Sequence, residues 1–122
     1  MYNQSAAKAY QQAGNIGGSP REKEAAMFLK AAAFLQRAKA ETSTREDWDH
    51  ALSFNRNVWT FIVGELMDDN HEMPAEIRQN IVNLGIFTFN QTLRIIGEPR
   101  STGVDALINI NRSIAEGLRG KT

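Results

Sequence analysis

At 122 residues the chain has the length of one domain, and a hydrophobic share of 42% supplies one core. Without cysteine it has no disulfide framework, thiolate nucleophile or zinc-thiolate site, and fourteen basic against fourteen acidic residues leave no net field to capture nucleic acid or anionic lipid. The start, Met1-Tyr2-Asn3-Gln4-Ser5, lacks the basic-then-apolar order of a signal peptide, and no apolar run reaches the roughly 18 residues of a membrane span, so the expectation is a cytoplasmic chain.

A first, weakly apolar helix is expected over about Tyr2 to Gln12, with Tyr2, Ala6, Ala9 and Tyr10 at helical spacing before the break at Gly14-Asn15-Ile16-Gly17-Gly18. Ser19-Pro20-Arg21-Glu22 then offers a capping hydroxyl, a proline with φ already set, and a glutamate three residues on to close a capping box. The second helix runs from Pro20 to about Ala40, with one row through Ala25, Phe28, Ala32, Leu35 and Lys39 and a second through Met27, Ala31, Phe34 and Ala38. Thr44 with Asp47 caps the third, which runs to about Asp68 along Trp48, Leu52, Asn55, Trp59, Ile62 and Leu66, flanked by Ala51, Phe54, Val58 and Phe61.

Asp68 to Met73 reads as a polar loop and Pro74 opens the fourth helix, to about Ile96. Its apolar residues fall in two rows: Ile77, Ile81, Leu84 and Ile95, then Val82, Ile86, Phe89, Leu93 and Ile96. A helix apolar nearly all round is expected to be central, covered by several neighbours. Gly97-Glu98-Pro99 stops it, and Thr102 with Asp105 caps a fifth helix through Val104, Leu107, Ile108, Asn111, Ile114, Ala115 and Leu118. Val58 to Val63 and Ile86 to Phe89 have strand-like composition, but each lies inside a longer helical period, which overrules propensity. The expected fold is all-α, a single-domain bundle of about five helices over residues 1–122.

Chemistry finds little footing in this pattern. The terminal Gly120-Lys121-Thr122 imitates the end of a phosphate-binding loop, yet Ala115 stands where its first glycine belongs. The acidic loop fails as a calcium site, since counting from Asp68 puts Met73 at the turn glycine and Gln79 at the closing glutamate. His50 and His71 lack metal-ligand spacing, no serine lies in a GxSxG turn, and Glu46 and Asp47 suit a helix N-terminus better than an acid-base pair. No catalytic residue, metal or cofactor is assigned.

More telling are polar residues in apolar rows. Asn55 and Asn111 each precede an arginine, Arg56 and Arg112. One reading makes the amides satisfied buried groups; the other makes them contacts that fix helix register or receive a partner helix, with the arginines at its rim.

Four segments carry a family resemblance: Pro20-Arg21-Glu22-Lys23-Glu24; Ala51-Leu52-Ser53-Phe54-Asn55-Arg56-Asn57-Val58-Trp59; Asp69-Asn70-His71-Glu72-Met73-Pro74 with Ile77-Arg78-Gln79-Asn80-Ile81; and Leu107-Ile108-Asn109-Ile110-Asn111-Arg112-Ser113-Ile114-Ala115-Glu116-Gly117-Leu118. Across nearly its whole length the chain resembles the flagellar biosynthesis regulator FlaF family of alphaproteobacteria. The resemblance implies a cytoplasmic, non-enzymatic protein that engages flagellin much as an export chaperone does, acts with the companion regulator FlbT, and couples flagellin synthesis to secretion and filament assembly.

Unassembled flagellin exposes amphipathic segments, and a bundle with surplus apolar surface can cover them in a groove between helices. The expected groove lies near Phe28, Phe34, Phe54, Trp59 and Phe61, with Asn55, Arg56, Asn111 and Arg112 beside it. A post-transcriptional regulator of flagellin mRNA, acting directly or through FlbT, is the alternative. Arg21, Lys23, Lys30, Arg37 and Lys39 could line such a surface, but neutral charge and the lack of any RNA-binding motif argue against direct contact.

Overall fold

The computed structural model describes residues 20–97 and 103–120. Four helices fill them: α1 Pro20–Ala38, α2 Arg45–Leu66, α3 Ala75–Gly97 and α4 Gly103–Leu118. They correspond to the second to fifth helices expected from the sequence, and no strand occurs among the described residues. The helix expected at Tyr2 to Gln12, the Ser19 cap, the Glu98-Pro99 stop, the Thr102 cap and Lys121-Thr122 lie outside the described residues.

Local chemistry accounts for most helix ends. The Asp47 amide donates to Thr44 Oγ1 at 3.1 Å and the Thr44 amide donates to Asp47 Oδ2 at 2.8 Å, the reciprocal box expected from the sequence. The end of α1 is closed by Ser43 Oγ, which donates to the Ala38 carbonyl at 2.7 Å. Pro74 accepts the Arg78 amide at 3.0 Å and so starts α3. Beyond α4, Gly120 takes φ 76°, the left-handed stop that a side chain disfavours, and donates to the Gly117 carbonyl.

The helices run up and down in a ring. α1 packs on α4 and α2, α2 packs on α3, and α3 closes onto α4. The closest pairing is α1 with α4, because α1 turns Ala25, Ala31, Ala32 and Ala38 inward and their small side chains let the helices approach. Two apolar layers fill the interior. One joins Leu35, Trp48, Leu52, Ile95, Val104 and Leu107; the other joins Met27, Phe28, Val58, Trp59, Ile62 and Ala115.

The expectation of a central fourth helix is overturned. α3 buries only Gly85, Thr88, Thr92 and Ile95, while Ile77, Ile86, Phe87, Leu93 and Ile96 face solvent. The backbone of α3 comes close to α2 and α4 and not to α1, so α3 keeps its outer side open. Its fully buried face is mostly small and polar, Ile81, Val82, Leu84 and Phe89 pack half-buried beside it, and the exposed apolar side chains are what periodicity alone mistook for core.

Candidate functional site

Along α3, Val82, Ile86, Phe89, Leu93 and Ile96 step by four, three, four and three residues, the spacing of a coiled-coil seam. Leu93 is 67%, Ile86 51% and Ile96 46% exposed, and the half-buried Val82 and Phe89 root the row on the Trp59 layer. Helical geometry puts these five residues on one stripe about 21 Å long. The exposed Gln79, Asn83 and Asn90 neighbour it, and Gln79 Nε2 donates to Asn83 Oδ1 at 2.9 Å. These amides carry no charge.

Gly85 sets how α3 sits. A Cβ there would lie 2.6 Å from Val63 Cγ2 and 3.2 Å from Trp59 Cε3, so only glycine lets α3 lie flush on α2. At the lower end, Arg78 Nε donates to the Met73 carbonyl at 3.0 Å, and its Nη1 donates to the carbonyls of Leu66 at 3.2 Å and Asp68 at 2.9 Å. One guanidinium thus ties the α2–α3 connection to α3. The acidic loop is an arginine-clasped turn, and among the described residues no group of three or more His, Cys, Asp or Glu side chains is placed to hold a metal.

Inside the bundle, Trp59 Nε1 donates to Asn111 Oδ1 at 2.9 Å and Asn111 Nδ2 donates to Asn55 Oδ1 at 2.7 Å. All three residues are fully buried. A bond across low-dielectric interior joins α2 to α4 at one register, because a slip of either helix would orphan two polar groups. Asn55 Nδ2 and Thr88 Oγ1 find no partner among the described residues.

The residues expected at the groove therefore separate into three groups. Phe28, Asn55, Trp59 and Asn111 are closed off from solvent, with Phe28 edge-on to Trp59 at a centroid distance of 5.1 Å. As a surface groove those four are corrected by geometry: they are the interior of the bundle. Phe34 and Phe54 meet edge-on at 5.0 Å on the outer side of α1 and α2, with His50 4.8 Å from Phe34 and Arg37 4.8 Å over its ring. Phe61 is half-buried, and Arg56 and Arg112 are exposed. The sequence showed the α3 row as a row but assigned it to the core. The available signal was the adjoining face, where Gly85, Thr88 and Thr92 mark close, polar packing.

A shallow cleft of about 30 Å³, room for one or two waters, opens between Glu24, Glu65, Phe28, Leu66, Met73 and Ile81. Burial pushes the Glu24 carboxyl up from its ordinary 4.5 to about 7, helped by repulsion from, and a hydrogen bond with, Glu65; Arg21 pulls the other way. The folded state thus holds this proton more tightly than the unfolded chain. The resulting stability is fully present below about pH 4.5 and is lost as pH rises through about 7. Glu24→Gln should abolish that slope and stabilise the protein at pH 8 by about 1–2 kcal/mol, a figure already reduced for the half-exposed setting. Urea unfolding at pH 5, 6, 7 and 8 checks it, and a variant whose midpoints parallel the parent's would remove the carboxyl pair from the account.

Over the described residues the fold and surface define a class: a four-helix α-protein with an exposed apolar seam on one helix. No helix among the described residues is long and apolar enough to cross a membrane. The model of the family described as flagellar protein FlaF matches residues 6–118, and the chain belongs to that family. No curated protein sequence and no solved structure matches it.

Proposed function

We propose that this FlaF-family chain is a cytoplasmic, non-enzymatic regulator of flagellum biogenesis that binds flagellin as an export chaperone-like factor, with FlbT as a companion partner. The supporting observation is the α3 seam, three of whose large apolar side chains stand at least 46% exposed in a row. An apolar stripe of this length costs solubility unless something covers it, and an amphipathic helix reading i, i+3, i+4 and i+7 is its natural cover. The half-buried Phe34, Phe54 and Phe61 offer a secondary contact surface, and the exposed Arg56, on the other side of α2, lies apart from it. The seam replaces the Trp59-centred groove as the principal site.

The test is calorimetry with flagellin. Leu93→Glu and Ile86→Glu should each weaken binding at least tenfold with the circular dichroism of the bundle unchanged, since both side chains stand in solvent. Phe54→Ala should cost less than threefold. If the parent fails to bind flagellin, the chaperone reading falls; if it binds and both glutamate variants bind as well, the site is elsewhere. Affinity should change only a few-fold between 50 and 200 mM salt, whereas five phosphate contacts of the alternative reading would weaken RNA binding by about a hundredfold or more.

A further inference from the structure

The seam of α3 is complementary to itself. Laid antiparallel against a second copy, Ile86 faces the partner's Phe89 and Phe89 faces the partner's Ile86. Val82 in turn faces the partner's Leu93, and Leu93 the partner's Val82. Each apolar residue in these four layers meets another, and the two-fold axis passes between Ile86 and Phe89. Ile96 then lies against the partner's Gln79, where the stripe turns polar and stops.

Charge permits the pairing. The charged residues of α3 are Glu76, Arg78 and Arg94. Helical geometry carries Glu76 and Arg94 round to the Phe87 side, and Arg78 is spent on the loop carbonyls. The solvent-side edge of the seam holds Asn83 and Asn90, so α3 itself brings neither like-charge repulsion to the pairing nor a charge pattern that would select a different partner.

Size sets the strength. A stripe about 21 Å long buries roughly 400 Å² per copy, about half of what each partner contributes to a standard stable interface. The pair should be exchangeable, with Kd on the order of 10 μM.

We propose that the free protein is an antiparallel homodimer closed through the seam of α3. The pairing stands on the geometry alone. Its consequence, that a guest helix and the second copy exclude one another, rests on the flagellin reading: the dimer masks the seam until a guest displaces it.

The native chain lacks cysteine, so engineered thiols report cleanly. Sedimentation equilibrium of the full chain between about 1 and 200 μM should show a monomer–dimer equilibrium, and Leu93→Glu should raise Kd at least fiftyfold. Oxidising a mixture of V82C and L93C should give the mixed disulfide, and L93C alone should give little. Efficient self-crosslinking of L93C would mean a parallel pair and overturn the register. A parent that stays monomeric throughout overturns the proposal and leaves the seam to residues 1–19 or to a foreign helix. Excess flagellin should suppress the mixed disulfide. Flagellin bound without any loss of that disulfide overturns the masking step, whereas a dimer that forms although flagellin does not bind at all keeps the pairing and removes the chaperone reading.

Discussion

Trp59→Ala is expected to cost about 3–5 kcal/mol, a large fraction of the roughly 5–15 kcal/mol that holds a domain of this size. Trp59 is fully buried on α2, edge-on to Phe28, with its indole ring beside Gly85 of α3 and its Nε1 bound to Asn111 of α4. One side chain therefore touches all three other helices. Removing it takes away about 200 Å² of buried surface and leaves Asn111 Oδ1 without its donor. Alanine's better helix propensity returns only a few tenths of a kcal/mol. The melting temperature should fall by roughly 10–20 °C. Trp59→Phe separates the contributions: it keeps most of the ring but loses the donor, and should cost about 1–2 kcal/mol. Combined with Asn111→Ala in a double-mutant cycle, it should show a coupling of at least 0.5 kcal/mol. A melting temperature within a couple of degrees of the parent for Trp59→Ala would mean that the ring is not the centre of this bundle.

Gly85→Leu is expected to cost about 3 kcal/mol or more, and the sign at Gly85 should be opposite to that at Gly64. A Cβ at Gly85 already meets Val63 Cγ2 at 2.6 Å and the Trp59 ring at 3.2 Å, whereas a Cβ at Gly64 meets nothing within 4 Å. Val63 is β-branched and stiff at χ1, and Trp59 is locked by its hydrogen bond, so neither can give way cheaply. Gly85→Ala should destabilise mildly, because its steric cost of about 1–3 kcal/mol outweighs the roughly 1 kcal/mol gained by removing a mid-helix glycine. At Gly64 only that gain remains, and the alanine variant should be more stable than the parent by about 0.5–1 kcal/mol. Urea unfolding of the two alanine variants side by side reads the signs directly. Equal stabilisation at both positions would show that α3 does not lie flush on α2.

These two positions bear on function because they carry the seam. α3 fully buries only one glycine, two threonines and one isoleucine, with Ile81, Val82, Leu84 and Phe89 packed half-buried beside them, so its exposed side chains stand on a helix whose fully buried face is small. A change at Gly85 that lifts α3 should disturb pairing and guest binding even though no seam residue is altered. Glutamate at Leu93 should do the reverse, leaving the melting temperature near the parent's while breaking the contact, because that side chain is in water in the free bundle.

The local signals were legible in the chain itself. The Thr44–Asp47 box, Pro20 at the head of α1 and Pro74 just before α3 follow from which side chains can satisfy or spare the first amides of a helix. Helix ends were less sharp: α1 and α2 stop at Ala38 and Leu66, about two residues short of the expected limits, because turn-like bonds at Ala40 and Asp68 extend the apparent period. Asn55 and Asn111 could be recognised as odd residues in apolar rows. That they bond to each other and to Trp59 could not, since 56 residues separate the two amides and no local rule reaches across that distance.

Periodicity determined that this chain is helical, where its helices begin, and which residues share a row; those properties are set by dihedral preference, capping and the 3.6-residue repeat, all of which act within a few residues. Tertiary structure alone decided which rows face one another. The sequence shows α3 apolar nearly all round, and only the ring of four helices turns Gly85, Thr88, Thr92 and Ile95 inward, half-buries Val82 and Phe89, and leaves Ile86, Leu93 and Ile96 in solvent. The physical reason is that burial belongs to pairs of surfaces: whether a row is core or docking face depends on what stands opposite it.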